Sequence, residues 1–193
     1  MPASLSERHR WEILAENSSM EVHAKGVSLW LMPEGDARKR LSGLIDSLAL
    51  RLDTEGFAPH VTLLPGLGGP QSRVVDDARL LAGRLQPCSL GFTVVDGEEQ
   101  YFRCLFLRVG DDPGLHDAHA LAARQFGRQP DPGFCPHLSL VYGALGARRK
   151  AGLVSELSGE TATSFDAGRL HVWKTEGPVG DWRELAAFDL TAG

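Results

Sequence analysis

Phe57-Ala-Pro-His-Val-Thr-Leu-Leu-Pro-Gly66 has a near copy later in the chain, Phe134-Cys-Pro-His-Leu-Ser-Leu-Val-Tyr-Gly143. Phe, Pro, His, Leu and Gly recur at the same places, and the Val/Leu, Thr/Ser and Leu/Val differences between the copies are conservative. Each copy continues into an apolar run that predicts a buried strand. Residues two apart on a strand point to the same face, so each copy presents a histidine together with a hydroxyl group.

The two copies belong to a longer repeat. His60 and His137 lie 77 residues apart, and the same shift superposes other elements predicted from apolar periodicity and from strand and helix breakers. These matched pairs are the strands at 27–33 and 104–110, the helices around 41–45 and 118–122, the helices near 71–86 and 147–158, and the strands at 91–95 and 168–174. The sequence therefore predicts two repeats, about 26–96 and about 102–175, each ordered strand, helix, motif strand, helix, strand.

Two such repeats predict an α+β fold of two pseudo-symmetric lobes. A pseudo-two-fold relation would place the motif strands opposite one another across a central cleft. A turn at 96–99 leads into a predicted strand at 102–109, and a closing strand is predicted at 184–190. We therefore expect a single bilobal domain over residues 25–193, preceded by an N-terminal extension at 1–24.

The composition is that of an ordinary globular chain. The 193 residues are 42% hydrophobic and carry a net charge of −5, which argues against non-specific binding to duplex nucleic acid. No apolar run approaches the roughly 20 residues that span a membrane, and the N-terminus lacks the apolar segment of a secretion signal. The three cysteines form no C-x-x-C pair and are expected to be reduced thiols. We expect a cytoplasmic monomer with no membrane partner.

Paired histidines and hydroxyls suit acid–base chemistry on a phosphate. An imidazole accepts a proton when neutral and donates one when charged, and its unperturbed pKa is about 6.5. His60 and His137 on opposite sides of one phosphorus would activate the incoming oxygen and protonate the leaving oxygen. Thr62 and Ser139 would donate hydrogen bonds to the non-bridging oxygens. Such a site needs no metal and no cofactor, and the symmetric motif does not show which histidine is the base.

Other groups are weaker candidates for chemistry. Cys135 lies two residues before His137, but the first copy has Ala58 at that place, so a Cys–His nucleophilic pair would exist in one repeat only. His116 and His119 are spaced i, i+3 on a predicted helix. Without a third ligand at suitable spacing, we interpret them as part of a solvated helix face and not as a metal site.

Two further features have structural interpretations. His171 alternates with apolar residues, so we expect it on a strand, either facing outward or hydrogen-bonded. The basic run at 148–150 opens a predicted helix and is interpreted as a solvated face, not as a surface for RNA.

The paired motifs resemble those of the 2H phosphoesterase superfamily, which is named for its two His-x-Thr/Ser motifs. Further segments are similar to the plant and fungal cyclic phosphodiesterase branch of that superfamily. These segments are 28–33, 57–63, 101–107, 136–142, 174–176 and 182–190. The resemblance covers residues 26–190 in order and implies a two-lobed α+β fold, with antiparallel sheets facing a central cleft.

The resemblance also implies a hydrolase that opens cyclic phosphates on ribose. The implied substrates are ADP-ribose 1″,2″-cyclic phosphate and nucleoside 2′,3′-cyclic phosphates, which would give the 1″-phosphate and the 2′-phosphate. By position, His60 and His137 correspond to the acid–base pair, and Thr62 and Ser139 to the phosphate-binding hydroxyls. Tyr142, which follows the second motif, corresponds to a substrate contact.

Some features are left open by the resemblance. Trp30, on the strand beside the motifs, either stacks on a base or ribose or is a core aromatic residue. Arg103 stands where the branch typically has glutamine, and the loop with paired cysteines of plant members is not evident. Two alternative functions remain: an enzyme of the same superfamily that acts on RNA 2′,3′-cyclic ends or forms 2′–5′ linkages, and a non-catalytic nucleotide-binding module.

Overall fold

The computed structural model describes residues 24–191. The N-terminal extension predicted at 1–24 lies outside these residues except for Ala24, which forms an isolated β-bridge with Gly177. The strands are β1 (Val27–Leu31), β2 (Val61–Leu67), β3 (Cys88–Asp96), β4 (Leu105–Val109), β5 (His137–Val141), β6 (Ser164–Ala167), β7 (Arg169–Lys174) and β8 (Arg183–Asp189). The helices are α1 (Gly35–Leu52), α2 (Gln71–Ala82), α3 (Pro113–Gln125) and α4 (Ala147–Glu156). Short 3-10 turns lie at Tyr101–Arg103, Ser158–Ala162 and Val179–Asp181.

The eight strands of the described residues form one antiparallel sheet in the order β6-β3-β4-β5-β2-β1-β7-β8. The two motif strands, β2 and β5, are neighbours at its centre. Outward from that centre, β1 and β4 occupy equivalent places, followed by β7 and β3 and then by β8 and β6. This symmetric order confirms the predicted α+β fold with two related lobes.

Each half of the sheet contains strands from both repeats. The last strand of the first repeat, β3, pairs with β4 of the second repeat, and β7 of the second repeat pairs with β1 of the first. The helices cross in the same way, since α1 packs on β5 and α3 packs on β2. Each lobe is therefore completed by the other repeat, which ties the two halves into one unit.

The strand register shows that the 77-residue shift is off by one on the first strand of each repeat. Trp30 lies opposite Thr62 on β1 and β2, whereas Phe106 lies opposite Ser139 on β4 and β5. Both pairings also carry a register irregularity at the same place, just before the aromatic residue. Trp30 and Phe106 are thus structural counterparts 76 residues apart, because one residue more separates Phe106 from Ser139 than separates Trp30 from Thr62.

The strand predicted at 102–109 begins later than expected. Tyr101–Arg103 forms a 3-10 turn, and β4 starts only at Leu105. The Arg103 N–H donates to the Gln100 carbonyl at 3.0 Å, an i to i−3 bond that replaces strand pairing here. The turn brings Phe102 and Arg103 to the wall of the central cleft.

The two faces of the sheet have different chemistry. Alternate residues of the central strands enter one hydrophobic core with the helices. On β1, β2 and β5 these buried residues are Leu29, Leu31, Val61, Leu63, Leu138 and Leu140. Burying each such side chain contributes about 1.5–3 kcal/mol. A one-residue slip would expose the whole set, so the core fixes the intervening histidines and hydroxyls on the opposite face.

The helices contribute apolar residues to this core. Among the helices of residues 24–191, α1 contributes Leu41 and Ile45 to the core, and α2 contributes Ala78 and Leu81. Within the same residues, no helix is both long and apolar enough to cross a membrane.

Gly26, immediately before β1, provides a test of the sheet geometry. Its φ is +70°, and a Cβ added there would lie 2.2 Å from the Leu67 carbonyl oxygen. We expect Gly26→Ala to lower the free energy of unfolding by about 1–3 kcal/mol or more, because backbone strain and a clash add together. Denaturant unfolding followed by circular dichroism measures the change.

Gly35→Ala is the matched control, since Gly35 also has a positive φ, +55°, but no atom lies within 4 Å of the added Cβ. We expect a smaller loss in this variant, from strain alone. Equal losses in the two variants would show that the Gly26–Leu67 approach is not the constraint described above.

Candidate active site

The central pairing of the sheet brings the two motifs together. Val61 of β2 lies opposite Leu138 of β5, so the preceding residues, His60 and His137, emerge on the same face. Both histidines line one cavity of about 240 Å³ on that face, together with the motif hydroxyls. Other residues that line this cavity are Trp30, Phe102, Arg103, Tyr142, Thr175 and Trp182. The structure therefore places all six sequence-predicted site residues around one space.

Each histidine is held in the same way. The Nδ1–H of His60 donates to the Ala58 carbonyl at 2.6 Å, and the Nδ1–H of His137 donates to the Cys135 carbonyl at 2.8 Å. A carbonyl oxygen only accepts, so Nδ1 carries the hydrogen in both rings and Nε2 of the neutral ring keeps its lone pair. The intervening proline of each motif fixes its own φ and stiffens the segment that carries the carbonyl.

An aromatic ring backs each imidazole. Trp30 stacks on His60, with ring centroids 3.5 Å apart and planes 10° apart. Its counterpart Phe106 meets His137 edge-on, with centroids 5.0 Å apart. These contacts and the carbonyl bonds together fix the orientation of both rings.

Trp30 itself lies in the wall of the cavity. Its side chain is 2% exposed, and its ring contacts those of His60, Trp173 and Trp182. The structure thus shows a buried aromatic residue that supports a predicted catalytic histidine. Stacking of Trp30 on a base or ribose stays a prediction.

Burial keeps both histidines neutral. Desolvation lowers the pKa of His60 to about 3; the hydrogen bond to Ala58 opposes this shift, and the nearby His137 adds to it. Desolvation also lowers the pKa of His137, the bond to Cys135 opposes it, and the Arg103 guanidinium adds to it. At neutral pH each Nε2 is therefore a proton acceptor in the free protein.

The two motif hydroxyls are in different states. Ser139 Oγ donates to the Phe102 carbonyl at 2.8 Å, so its hydrogen is engaged. Within the described part of the chain, the Thr62 hydroxyl makes no hydrogen bond, and it faces the cavity. Thr62 is thus free to donate to a bound anion, whereas Ser139 must first turn away from Phe102.

Tyr142 links the second motif to the first histidine. Its hydroxyl donates to His60 Nε2 at 3.3 Å, and its ring stacks on Phe57 with centroids 3.8 Å apart. Burial raises the pKa of Tyr142, so the phenol stays protonated and acts as a donor. This hydrogen bond occupies the lone pair of His60 Nε2 and places the Tyr142 hydroxyl beside that nitrogen.

Sequence reasoning missed part of the cavity wall. Ser28 and Thr175 are buried and share a hydrogen bond between their hydroxyls at 2.9 Å, and Thr175 also donates to the Gly26 carbonyl. Trp182 is held by a bond from Nε1 to the Gly177 carbonyl at 3.1 Å. The segments around 175 and 182 carried a family resemblance, but only the β1–β7 pairing shows that their side chains reach the cavity.

The solvated face predicted for His116 and His119 is wrong for His119. His119 is buried, donates through Nδ1 to the Leu63 carbonyl at 2.9 Å and accepts the Asp131 N–H through Nε2 at 3.1 Å. Both ring nitrogens are therefore occupied by backbone groups, and the residue fastens α3 to β2. Between residues 24 and 191, no cluster of three or more His, Cys, Asp or Glu side chains could hold a metal ion.

The remaining candidates lie outside the cavity. His171 is buried and its Nδ1 contacts Glu184 at 3.1 Å, which confirms the hydrogen-bonded interpretation. Cys135 accepts a hydrogen bond from Arg108 at 2.8 Å, and its side chain is absent from the cavity lining among the described residues. Cys135 contributes to the site through its carbonyl, which accepts the hydrogen bond from His137 Nδ1, and not through its thiol.

In sequence, this chain is similar to cyclic phosphodiesterases. The family described as cyclic phosphodiesterase-like protein matches residues 25–190. A cyclic phosphodiesterase of Arabidopsis thaliana is 25% identical over 184 residues, with coverage of 88% of this chain and 98% of that protein.

Solved structures show the same fold. E. coli LigT in complex with phosphate has a TM-score of 0.56 at 16% identity, over 89% of this chain and 100% of that chain. A crystal structure described as a phosphoesterase gives the same TM-score and identity over 88% and 99% of the two chains. The family match spans nearly all of the described residues, and the chain therefore belongs to the cyclic phosphodiesterase-like family.

Proposed function

We propose that this protein hydrolyses cyclic phosphates on ribose by two-histidine acid–base catalysis without a metal ion. The observation that carries the proposal is the matched pair of imidazoles. Each has Nδ1–H fixed by the carbonyl two residues earlier, and both line one cavity. Two imidazoles that present Nε2 as a proton acceptor at one cavity suit in-line displacement at a phosphorus between them.

The difference between the two histidines supports separate roles. His60 has the more strongly lowered pKa, about 3, so it suits the base, and a bound water takes the place of the Tyr142 hydroxyl at its Nε2. His137 is the more easily protonated of the two and suits the acid. With a nucleoside 2′,3′-cyclic phosphate, His60 Nε2 takes a proton from water as the water oxygen bonds to phosphorus. The P–O3′ bond breaks, and the proton on His137 Nε2 passes to the leaving 3′ oxygen.

This reaction gives a nucleoside 2′-phosphate, and the same step on ADP-ribose 1″,2″-cyclic phosphate gives the 1″-phosphate. Negative charge grows on the non-bridging oxygens in the transition state, and the hydroxyls of Thr62 and Ser139 donate to them. Solvent then removes the proton from His60 and returns one to His137, which restores the starting state.

A small-molecule substrate fits the cavity better than an RNA strand. Single-stranded nucleic acid binds along basic grooves with strong salt dependence. Here the cavity is compact, and within the described residues Arg103 is its one cationic lining side chain apart from the histidines. An enzyme that acts on RNA ends would instead bind oligonucleotides, and its affinity for them would fall steeply as the salt concentration rises.

The first prediction concerns the histidines. Purified protein should open adenosine 2′,3′-cyclic phosphate with EDTA present, and phosphorus NMR should identify the 2′-phosphate. We expect His60→Ala and His137→Ala each to lower kcat by about 10²–10⁴-fold, because each removes one proton transfer. Thr62→Ala and Ser139→Ala should cost less.

His116→Ala is the control, since His116 is a half-exposed surface histidine outside the cavity. Its kcat should match that of the wild-type protein. A near wild-type rate in either motif histidine variant, or loss of activity on chelation, would contradict the proposed mechanism. Binding of the cyclic nucleotide without turnover would favour the non-catalytic alternative.

The second prediction is a pH dependence. The productive form of the free enzyme, a minor form at neutral pH, has neutral His60 and protonated His137, so its population peaks between the two pKa values. Both values are lowered, His60 to about 3, so this peak lies below the ordinary histidine value of about 6.5. We expect kcat/KM to fall about tenfold per pH unit between pH 7 and 8.5, as His137 loses its proton. A rate that is constant or rising over that range would show that the acid is not a histidine with a lowered pKa.

A further inference from the structure

The cavity holds one permanent charge that the acid–base mechanism does not use. Among the described residues that line it, Arg103 is the only side chain that is charged at all working pH values. The two histidines are neutral in the free protein, as shown above. An anionic phosphate that enters this partly buried space loses hydration, and such a loss is tolerated only where a cation or hydrogen-bond donors replace the water.

The guanidinium of Arg103 is only partly occupied by the protein. Its Nη2 donates to Glu98 Oε1, and the side chain is 26% exposed. Its Nε is buried and has no hydrogen-bond partner among the described residues. The protein therefore satisfies only part of the guanidinium, and this leaves donors for a ligand acceptor on a side chain that lines the cavity.

Arg103 is held firmly in this position. Its carbonyl accepts the Glu98 N–H at 2.9 Å, and Lys150 donates to the Glu98 carbonyl. The guanidinium carbon also lies 5.8 Å from the centre of the Phe106 ring, which in turn contacts His137. Gly97 permits this turn, because a Cβ there would lie 2.6 Å from the Cys104 carbonyl oxygen. The side chain is thus pre-organised beside the second histidine.

We propose that Arg103 binds the phosphate of the substrate and product directly, with the guanidinium donors that the protein leaves unoccupied donating to the non-bridging oxygens. This inference rests on the proposed function, because it assigns the anion that occupies the same cavity. Guanidinium groups suit this task, since their planar fork matches two phosphate oxygens. The influence of Arg103 on His137 described above is consistent with both groups facing one bound phosphate.

Arg108 provides a matched control in the same lobe. Its guanidinium carbon lies 5.6 Å from the centre of the same Phe106 ring, and it pairs with Asp96 at 2.7 Å as Arg103 pairs with Glu98. Arg108 is not among the residues that line the cavity. Substitution of Arg108 therefore removes a similar stacked ion pair without removing a cavity donor.

The test is isothermal titration calorimetry with adenosine 2′-monophosphate, which requires no turnover. We expect Arg103→Gln to weaken binding by about tenfold or more, because a charge-assisted contact is lost. Arg108→Gln should stay within about twofold of the wild-type protein, and Arg103→Lys, which keeps the charge but loses the fork, should lie between the two. Far-UV circular dichroism checks that each variant is folded.

Wild-type affinity in Arg103→Gln, or an equal loss in Arg108→Gln, would overturn the inference. If Arg103→Gln does not fold, Arg103→Lys decides the question, and wild-type affinity in that variant would overturn the direct contact. Turnover is measured separately. A protein that binds the product through Arg103 but leaves the cyclic phosphate intact contradicts the proposed function alone. Turnover with product binding unaffected in Arg103→Gln contradicts this inference alone.

Discussion

The arrangement of the cavity depends on the pairing of β2 with β5 at the centre of the sheet. This junction is short, with Val61 opposite Leu138, yet it joins the two halves of an eight-stranded sheet. Apolar residues on one side of it are buried under the helices, and this burial sets which side chains face the other way. His60 and His137 are neighbours because the hydrophobic core leaves their strands no other register.

The exchange of strands between repeats adds to this constraint. Because β3 completes the second lobe and β7 completes the first, neither lobe has a full sheet without the other. Thr175 and Trp182, which follow β7 in the chain, thereby reach a cavity centred on the motif strands. The duplication thus supplies both the symmetric histidines and the less symmetric wall around them. The two halves differ in the ring that backs each imidazole, Trp30 against His60 and Phe106 against His137, which fits the distinct roles proposed for the two histidines.

The two motif strands and the four polar side chains that they bring to the cavity were predictable from the sequence, because the copies at 57–66 and 134–143 carry the pattern of a buried strand together with its polar groups. The spacing from Trp30 to Thr62 differs by one residue from the spacing from Phe106 to Ser139. This difference was not predictable, since β-bulges change strand register without a clear sequence signal. The burial of His119 was missed because the spacing of residues on a helix does not show which backbone groups of other segments reach the ring. Here these groups are the Leu63 carbonyl and the Asp131 N–H. The 3-10 turn at Tyr101–Arg103 was missed because an aromatic run favours a strand unless a tight turn precedes it. That turn places Arg103 in the cavity.

In the proposed mechanism, both imidazoles act on one phosphorus. The most direct measurement is a crystal structure of the protein with a uridine–vanadate complex, in which vanadium imitates the five-coordinate phosphorus of the transition state. We expect His60 Nε2 and His137 Nε2 each to lie within about 2.6–3.2 Å of a different apical oxygen of one vanadate. A vanadate that contacts one histidine only, or that binds outside the cavity, would contradict this mechanism.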